Sequence, residues 1–271
     1  MQAMYFYIVN PAAGDGGYDQ LQQRLKSRLQ QLEIDGEFSK TLEPEDAAKI
    51  TRTLLKRGAK TIVVIGDDAT LNDVITTVNT AGKHSVAVGF IPLAKTSLLG
   101  AHLGIENWQH ACELLAERRL QTFNVIHIND NSFIHSCTIT APNPEAPSHF
   151  LAEIDGEYRV RGQAQSLEVY NQKLLNSSLP NRLLLQLLEP PPSSWRRLWQ
   201  RRPSPAVRSQ LHGRVAIVEF DAPATAVIDG RKLQDDMFRI RLSQTPIKLI
   251  TDKQRQGFDE QPSHLLQSSG G

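Results

Sequence analysis

The sequence predicts an α/β protein in two parts. An N-terminal parallel-sheet domain spans residues 1–122, an antiparallel β-sandwich-like domain spans 123–251, and a polar tail spans 252–271. Three observations predict this. In the first part, short and continuously apolar runs alternate with helical stripes. Strands that are apolar at every position are buried on both faces, as in a parallel sheet covered by helices. In the second part, strand patterns follow one another through short turns with hardly a helix between them, the grammar of an antiparallel sandwich. A chain of 271 residues is long enough for two modest domains, each with its own core.

Each element has its own signal. Tyr5–Val9 is an apolar strand that stops at Asn10-Pro11, and Leu21, Leu25, Leu29 and Leu32 then form a helix stripe. Proline at a first helical turn is tolerated, so a second helix opens near Pro44 and carries Ala47, Ile50, Leu54 and Leu55. Ile62–Ile65 is the next strand, followed by a helix with Leu71, Val74, Ile75 and Val78 on one face. Val86–Ile91 is a strand ended by Pro92. A short helix near Ser97–Leu103 and a longer one around Trp108–Glu117 complete the domain.

Phe123–Ile128 and Ser132–Ile139 read as a hairpin around Asn129-Asp130-Asn131. Further strands are expected at Leu151–Ile154, Tyr158–Tyr170, Leu183–Leu188, Arg214–Phe220, Thr225–Ile228, Phe238–Leu242 and Ile247–Ile250, with one helix around Ser194–Arg201. The polar residues from Asp252 onward either return to the first domain or hang free.

Composition narrows the function classes. A net charge of +1 provides no global field for nucleic acid. Cys112 and Cys137 lie outside any CxxC or His–Cys ligand spacing, which argues against a disulfide framework or zinc site and for a reducing cytosol. His127, His135, His149 and His212 are scattered, with no helical metal-ligand interval among them. The first residues lack the basic region of a signal sequence, and no apolar run reaches membrane-spanning length. Any membrane contact is therefore expected from the cytoplasmic side, peripherally at the inner surface.

The stretch Thr61–Val78 carries the chemistry. A strand ends at Gly66, a compact acidic turn Gly66-Asp67-Asp68-Ala69-Thr70 follows, and a helix begins. That order leaves free backbone N–H groups at the turn, where phosphate binds well. Carboxylates beside phosphate require a cation between them, so the turn points to a nucleotide with Mg²⁺. The plainer reading is a strand-to-helix turn in which Asp68 or Thr70 caps the helix. The glycine-rich run after Asn10 does not match GxGxxG, because the sixth position from Gly14 is Asp19, which argues against a dinucleotide site.

Three segments line up with a known pattern: Asn10-Pro-Ala-Ala-Gly14, Gly66-Asp-Asp-Ala-Thr-Leu-Asn-Asp-Val74, and Pro92 to Ile105. Their order and spacing resembles the diacylglycerol kinase catalytic-domain family, which includes bacterial lipid kinases and sphingosine kinases. Ile228-Asp229-Gly230-Arg231 is similar to the family's late Asp-Gly-Glu element. The resemblance implies ATP, Mg²⁺ and phosphoryl transfer to a diacylglycerol-type or sphingoid lipid hydroxyl in a cleft between two domains. It implies that ATP lies across Asn10, Gly14, Gly66, Asp68, Thr70 and Asn72, and that Asp68 serves the metal and catalysis. Asp229 is the implied general base. It also leaves room for a homodimer, and the stretch between Ile139 and Leu151 is shorter than in relatives.

The departures from the family pattern are as informative. Asp67 and Ala69 stand where the family has glycine, so a carboxylate and a methyl crowd the phosphate position. Ala94, Lys95, Ser97 and Leu98 replace Gly, Thr, Asn and Asp, and Arg231 replaces Glu. Lys95 either pairs with phosphate or with Asp67, or is a plain surface lysine. Two functions follow: an ATP-dependent lipid kinase, or a catalytically impaired relative that senses lipid or nucleotide. Residues 190–218 hold six arginines and no acid, with Trp195, Leu198 and Trp199 on one helical face. Residues 195–202 thus suit an interfacial helix on anionic lipid, or equally a connecting helix packed on the β-rich domain. No nucleic-acid motif accompanies the arginines.

Overall fold

The computed structural model describes residues 5–14, 17–43, 46–94, 96–143, 147–175, 181–189, 206–228 and 231–252. Lys95, Asp229 and the expected interfacial segment 195–202 lie outside the described residues, as does the tail from residue 253.

The first lobe follows the apolar runs. Its elements are β1 (Tyr5–Val9), α1 (Gly17–Gln31), β2 (Gly36–Lys40), α2 (Asp46–Lys56), β3 (Thr61–Gly66), α3 (Asp68–Thr80), β4 (Ala87–Pro92), α4 (Leu98–His102), α5 (Trp108–Glu117) and β5 (Leu120–Phe123). Every residue of β1 and β3 is buried, which is why these strands carry no alternation. β2 escapes a pattern search: its sequence, GEFSK, has one large apolar residue because it forms the polar outer edge of the sheet beside β1.

The second lobe comprises β6 (Ile126–Ile128), β7 (Asn131–Phe133), β8 (Ser136–Thr140), β9 (Ser148–Ile154), β10 (Tyr158–Ala164), β11 (Ser166–Asn171), a 3-10 turn (Gln172–Leu175), β12 (Leu183–Glu189), β13 (Ala206–Gly213), β14 (Val215–Ile228) and β15 (Arg231–Leu242). Their pairings are antiparallel throughout. Two expected boundaries move. The run expected as one strand over Tyr158–Tyr170 breaks at Gln165, so that β10 pairs with β9 while β11 pairs with β8 and β12. Conversely, Arg214–Phe220 and Thr225–Ile228 fuse into β14, whose register against β15 shifts between Glu219 and Ala224.

The last described strand, β16 (Ile247–Ile250), corrects the domain boundary. The sequence reading placed it in the second domain. It enters the first sheet instead, in the order β2-β1-β3-β4-β16-β5, parallel to β4 and antiparallel to β5. Ile247, Leu249 and Ile250 complete the first lobe's apolar core. The second lobe is therefore inserted between β5 and β16. Its two ends are tied together: Ser243 N donates to Val125 O at 2.7 Å, and Val125 N donates to Ser243 Oγ at 2.9 Å. Both cysteines are buried and neither is in a disulfide.

Candidate functional site

Three loops gather where β1, β3 and β4 end, the side on which open α/β sheets bind ligands. Asn10 continues β1: its N–H donates to Ile65 O at 2.8 Å, and Leu93 N donates to Gly66 O at 2.9 Å. Gly14 has φ +65°, and a Cβ there would lie 2.6 Å from Leu93 O. The first loop thus rests on the third, and glycine is required for that approach.

The acidic turn resolves into two separate caps. Asp67, with extended backbone, is the N-cap of α3. Its Oδ1 accepts from Thr70 N at 2.8 Å and from Thr70 Oγ1 at 2.6 Å. Thr70 Oγ1 in turn accepts from Asn10 Nδ2 at 2.9 Å. The plainer sequence reading assigned the cap to Asp68 or Thr70; Asp67 holds it, because its backbone is extended and its oxygen reaches the N–H three residues on. Asp68 faces α4 instead. Ser97 Oγ donates to Asp68 Oδ1, and Leu98 N and Leu99 N donate to Oδ2 at 2.9 and 3.1 Å. Ser97 Oγ also accepts from Gly100 N at 2.8 Å, so Asp68 and Ser97 together satisfy the start of α4.

The loops therefore bring together Asn10, Gly14, Gly66, Asp68 and Thr70, whereas Asn72 turns to the second lobe and bonds Ser132 O. They also show how poorly the turn fits MgATP. A triphosphate at the head of α3 meets the Asp67 carboxylate already seated on the anion position. A metal at Asp68 competes with donors on both of its oxygens. Either group would have to share or displace these contacts.

The lobes meet across α3 and α4. Asn72 Nδ2 donates to Ser132 O at 2.9 Å, and Arg231 Nη2 reaches Asp73 Oδ2 at 2.7 Å. Burial raises the Asp73 pKa against the opposing pull of Arg231. A cleft of about 210 Å³ lies on the α4 side, lined by Asp68, Leu98, Leu99, His135, Thr138 and Val227. A second, of about 160 Å³, lies along α3. At the first cleft the rings of His102 and His135 lie 4.2 Å apart, tilted by 32°. Burial lowers both histidine pKa values, that of His135 to about 3, and the neighbouring His102 adds to the shift at His135. Sequence reasoning missed Asp73, Ser97 and His102 as site residues, and read His135 only as one of four scattered histidines with no metal-ligand interval. Ser97 alone had a local signal, an N-cap residue preceding a short apolar helix.

Comparison with known proteins agrees with this architecture. Residues 4–128 match the family profile of the diacylglycerol kinase catalytic domain, just under half of the chain. A crystal structure of a diacylglycerol kinase from Bacillus anthracis str. Sterne superposes with a TM-score of 0.74 at 16% identity, covering 93% of this chain and 97% of that one. An NAD kinase from Archaeoglobus fulgidus, solved in complex with ATP, superposes with a TM-score of 0.58 at 16% identity, covering 92% and 94%. Both likenesses are of fold. No curated protein matches the chain. The resemblance carried by the three sequence segments is thereby borne out, as is the two-lobed α/β class. Among the described residues no helix is long and apolar enough to cross a membrane.

Proposed function

We propose that this chain is a lipid-kinase-fold binding protein whose interlobe cleft receives a lipid with free hydroxyls and whose transfer of phosphate from MgATP is impaired. The single observation supporting it is the seat of Asp67, whose Oδ1 lies 2.8 Å from Thr70 N and 2.6 Å from Thr70 Oγ1. An internal carboxylate there takes the donors that would greet an incoming phosphate. Ala69 adds a methyl at the neighbouring position. Membrane contact through residues 195–202, a lipid partner and a homodimer belong to this proposal and need their own measurements.

The experiment is to incubate the protein with labelled MgATP and mixed lipid micelles. The expected result is micelle binding with no label transferred and no shift of melting temperature by MgATP. Restoring both glycines, Asp67→Gly with Ala69→Gly, is expected to create MgATP binding. Label transferred by the unaltered protein overturns the proposal.

That outcome supports the second reading, an ATP-dependent lipid kinase using Asn10, Gly14, Gly66, Thr70, Asn72 and Lys95 toward the nucleotide. In that reading Asp68 serves magnesium and Asp229 is the base. It is favoured by the Asn10–Thr70 hydrogen bond, which joins the first and second loops at 2.9 Å. Loss of transfer in both Asp68→Asn and Asp229→Asn would complete the case for it.

A further inference from the structure

The lobes also meet at the end of α4. His102, the last residue of that helix, belongs to the first lobe, and His135 lies in the turn between β7 and β8 of the second. Their ring centroids are 4.2 Å apart. The His102 ring also donates to the Leu174 carbonyl, in the second lobe's 3-10 turn. Beside this pair the second lobe lends apolar side chains to the first: Ile134 and Leu174, 1% and 4% exposed, pack in the first lobe's core.

His135 is seated as a neutral ring. Its Nδ1 lies 2.8 Å from Ser136 Oγ, and its Nε2 is buried with no hydrogen-bond partner. A protonated imidazole carries an N–H donor on both nitrogens. In this seat the charged ring would hold one donor with no acceptor, closed to solvent, which is costly. The surrounding groups give no relief. From α4 it faces His102, a second base. From β11 the Tyr170 ring stands at 86° to it, 6.1 Å away, with its hydroxyl given to Glu168 Oε2. Lys173 and His212, at the 3-10 turn, are directed to Phe123 and Gln172, and Cys137 on β8 packs in the second lobe's core. Asp68, at the other end of α4, favours a proton on His102, whose bond to Leu174 O tolerates it. A first proton therefore settles on His102, and a second has only His135 to go to.

We propose that His102 and His135 form an acid-operated latch between the lobes: with both rings protonated, like charges meet across the interface, His102 leaves Leu174 O, and the lobes part on the α4 side. The ties between Val125 and Ser243 and the neutral bond from Asn72 to Ser132 O carry no titrating group and act as the hinge. Parting there widens the α4-side cleft, walled by Leu98 and Leu99 from the first lobe and by His135 and Thr138 from the second. The latch is independent of what that cleft receives.

Burial holds His135 at about 3 in the closed form, against 6.5 for an ordinary histidine. By linkage, the parted form is expected to gain roughly thirtyfold in population between neutral pH and about pH 5. The test uses the full chain with labelled isoleucine methyls and a neutral gadolinium chelate in solution. The expected result is that relaxation of the Ile134 methyl by the chelate rises as pH falls to about 5, with the midpoint of the His135 ring resonance. Ile139 and Ile247, in the cores of the two lobes, are expected to stay shielded.

His135→Gln, which cannot be charged, is expected to keep Ile134 shielded at the same pH. His102→Gln, which keeps a donor for Leu174 O and removes one of the two charges, is expected to need more acid to open. The proposal is overturned if His135 titrates while Ile134 stays shielded, since the ring then charges without moving the lobes. It is overturned equally if Ile139 and Ile247 lose their shielding together with Ile134, or if His135→Gln responds like the unaltered protein. Should His135→Gln fail to fold, an unshifted midpoint in His102→Gln overturns it instead.

Discussion

Asp68 and Ser97, on different loops, share a proton-mediated contact: the Ser97 hydroxyl donates to Asp68 Oδ1 while Oδ2 accepts from Leu98 N and Leu99 N. The residue that most resembles a magnesium ligand in sequence is here the clasp of a five-residue helix. Asp68→Ala is expected to destabilise the protein by about 2 kcal/mol, because charged acceptors are worth more than neutral ones. Chemical denaturation measures it. A larger loss of Mg²⁺ response than of stability would return Asp68 to the metal.

Asp67 makes a separable prediction about the same turn. Asp67→Ala removes the cap of α3 and should cost about 1 kcal/mol, whereas Asp67→Gly should cost only a few tenths. Thermal unfolding of the two variants checks this ordering. Equal stability in all three proteins would mean that the carboxylate is not functioning as a cap.

The adjacent rings of His102 and His135 make the protein acid-sensitive. Burial places both folded-state values below the ordinary 6.5, with His135 near 3. The unfolded chain therefore binds more protons than the folded one as pH falls through this interval. Stability is fully present above 6.5 and declines as pH falls toward 3. Replacing His135 with Gln should flatten the slope of melting temperature against pH below 6.5, and an unchanged slope would assign the acid response elsewhere.

The ion pair between Arg231 and Asp73 joins the lobes at 2.7 Å but contributes little net stability, since burial of Asp73 outweighs the pull of the half-exposed arginine. Asp73→Asn is expected to change stability by less than about 1 kcal/mol at neutral pH. The sign follows from a raised carboxylate pKa: the wild-type loses stability as pH rises through the Asp73 transition, and the Asn variant does not. Hydrogen exchange at the lobe boundary should rise in Arg231→Ala even where the melting temperature holds.

Much of the first lobe was legible because buried parallel strands are apolar at every position, as Ile62–Ile65 shows. β2 was not, because an edge strand such as Gly36–Lys40 needs no such pattern. Ile247–Ile250 was recognised as a strand and assigned to the wrong sheet, since periodicity reports burial and not partner. The turn at Asp67 and Asp68 was legible as a place and not as an arrangement. Which carboxylate caps α3 depends on local backbone, while the contact of Asp68 with α4 depends on the fold bringing Ser97 across.

The place of β16 has a consequence for synthesis on the ribosome. Among the described residues β5 pairs in the first sheet with β16 alone, and β4 borders β16 on the side away from β3. The amino-terminal half thus emerges with an unfinished sheet, and it waits for some 120 residues of inserted polypeptide before Ile247–Ile250 arrives to seal it. Chain termination shortly before that strand would be felt at the opposite end of the gene product, as an open and adhesive edge on β4.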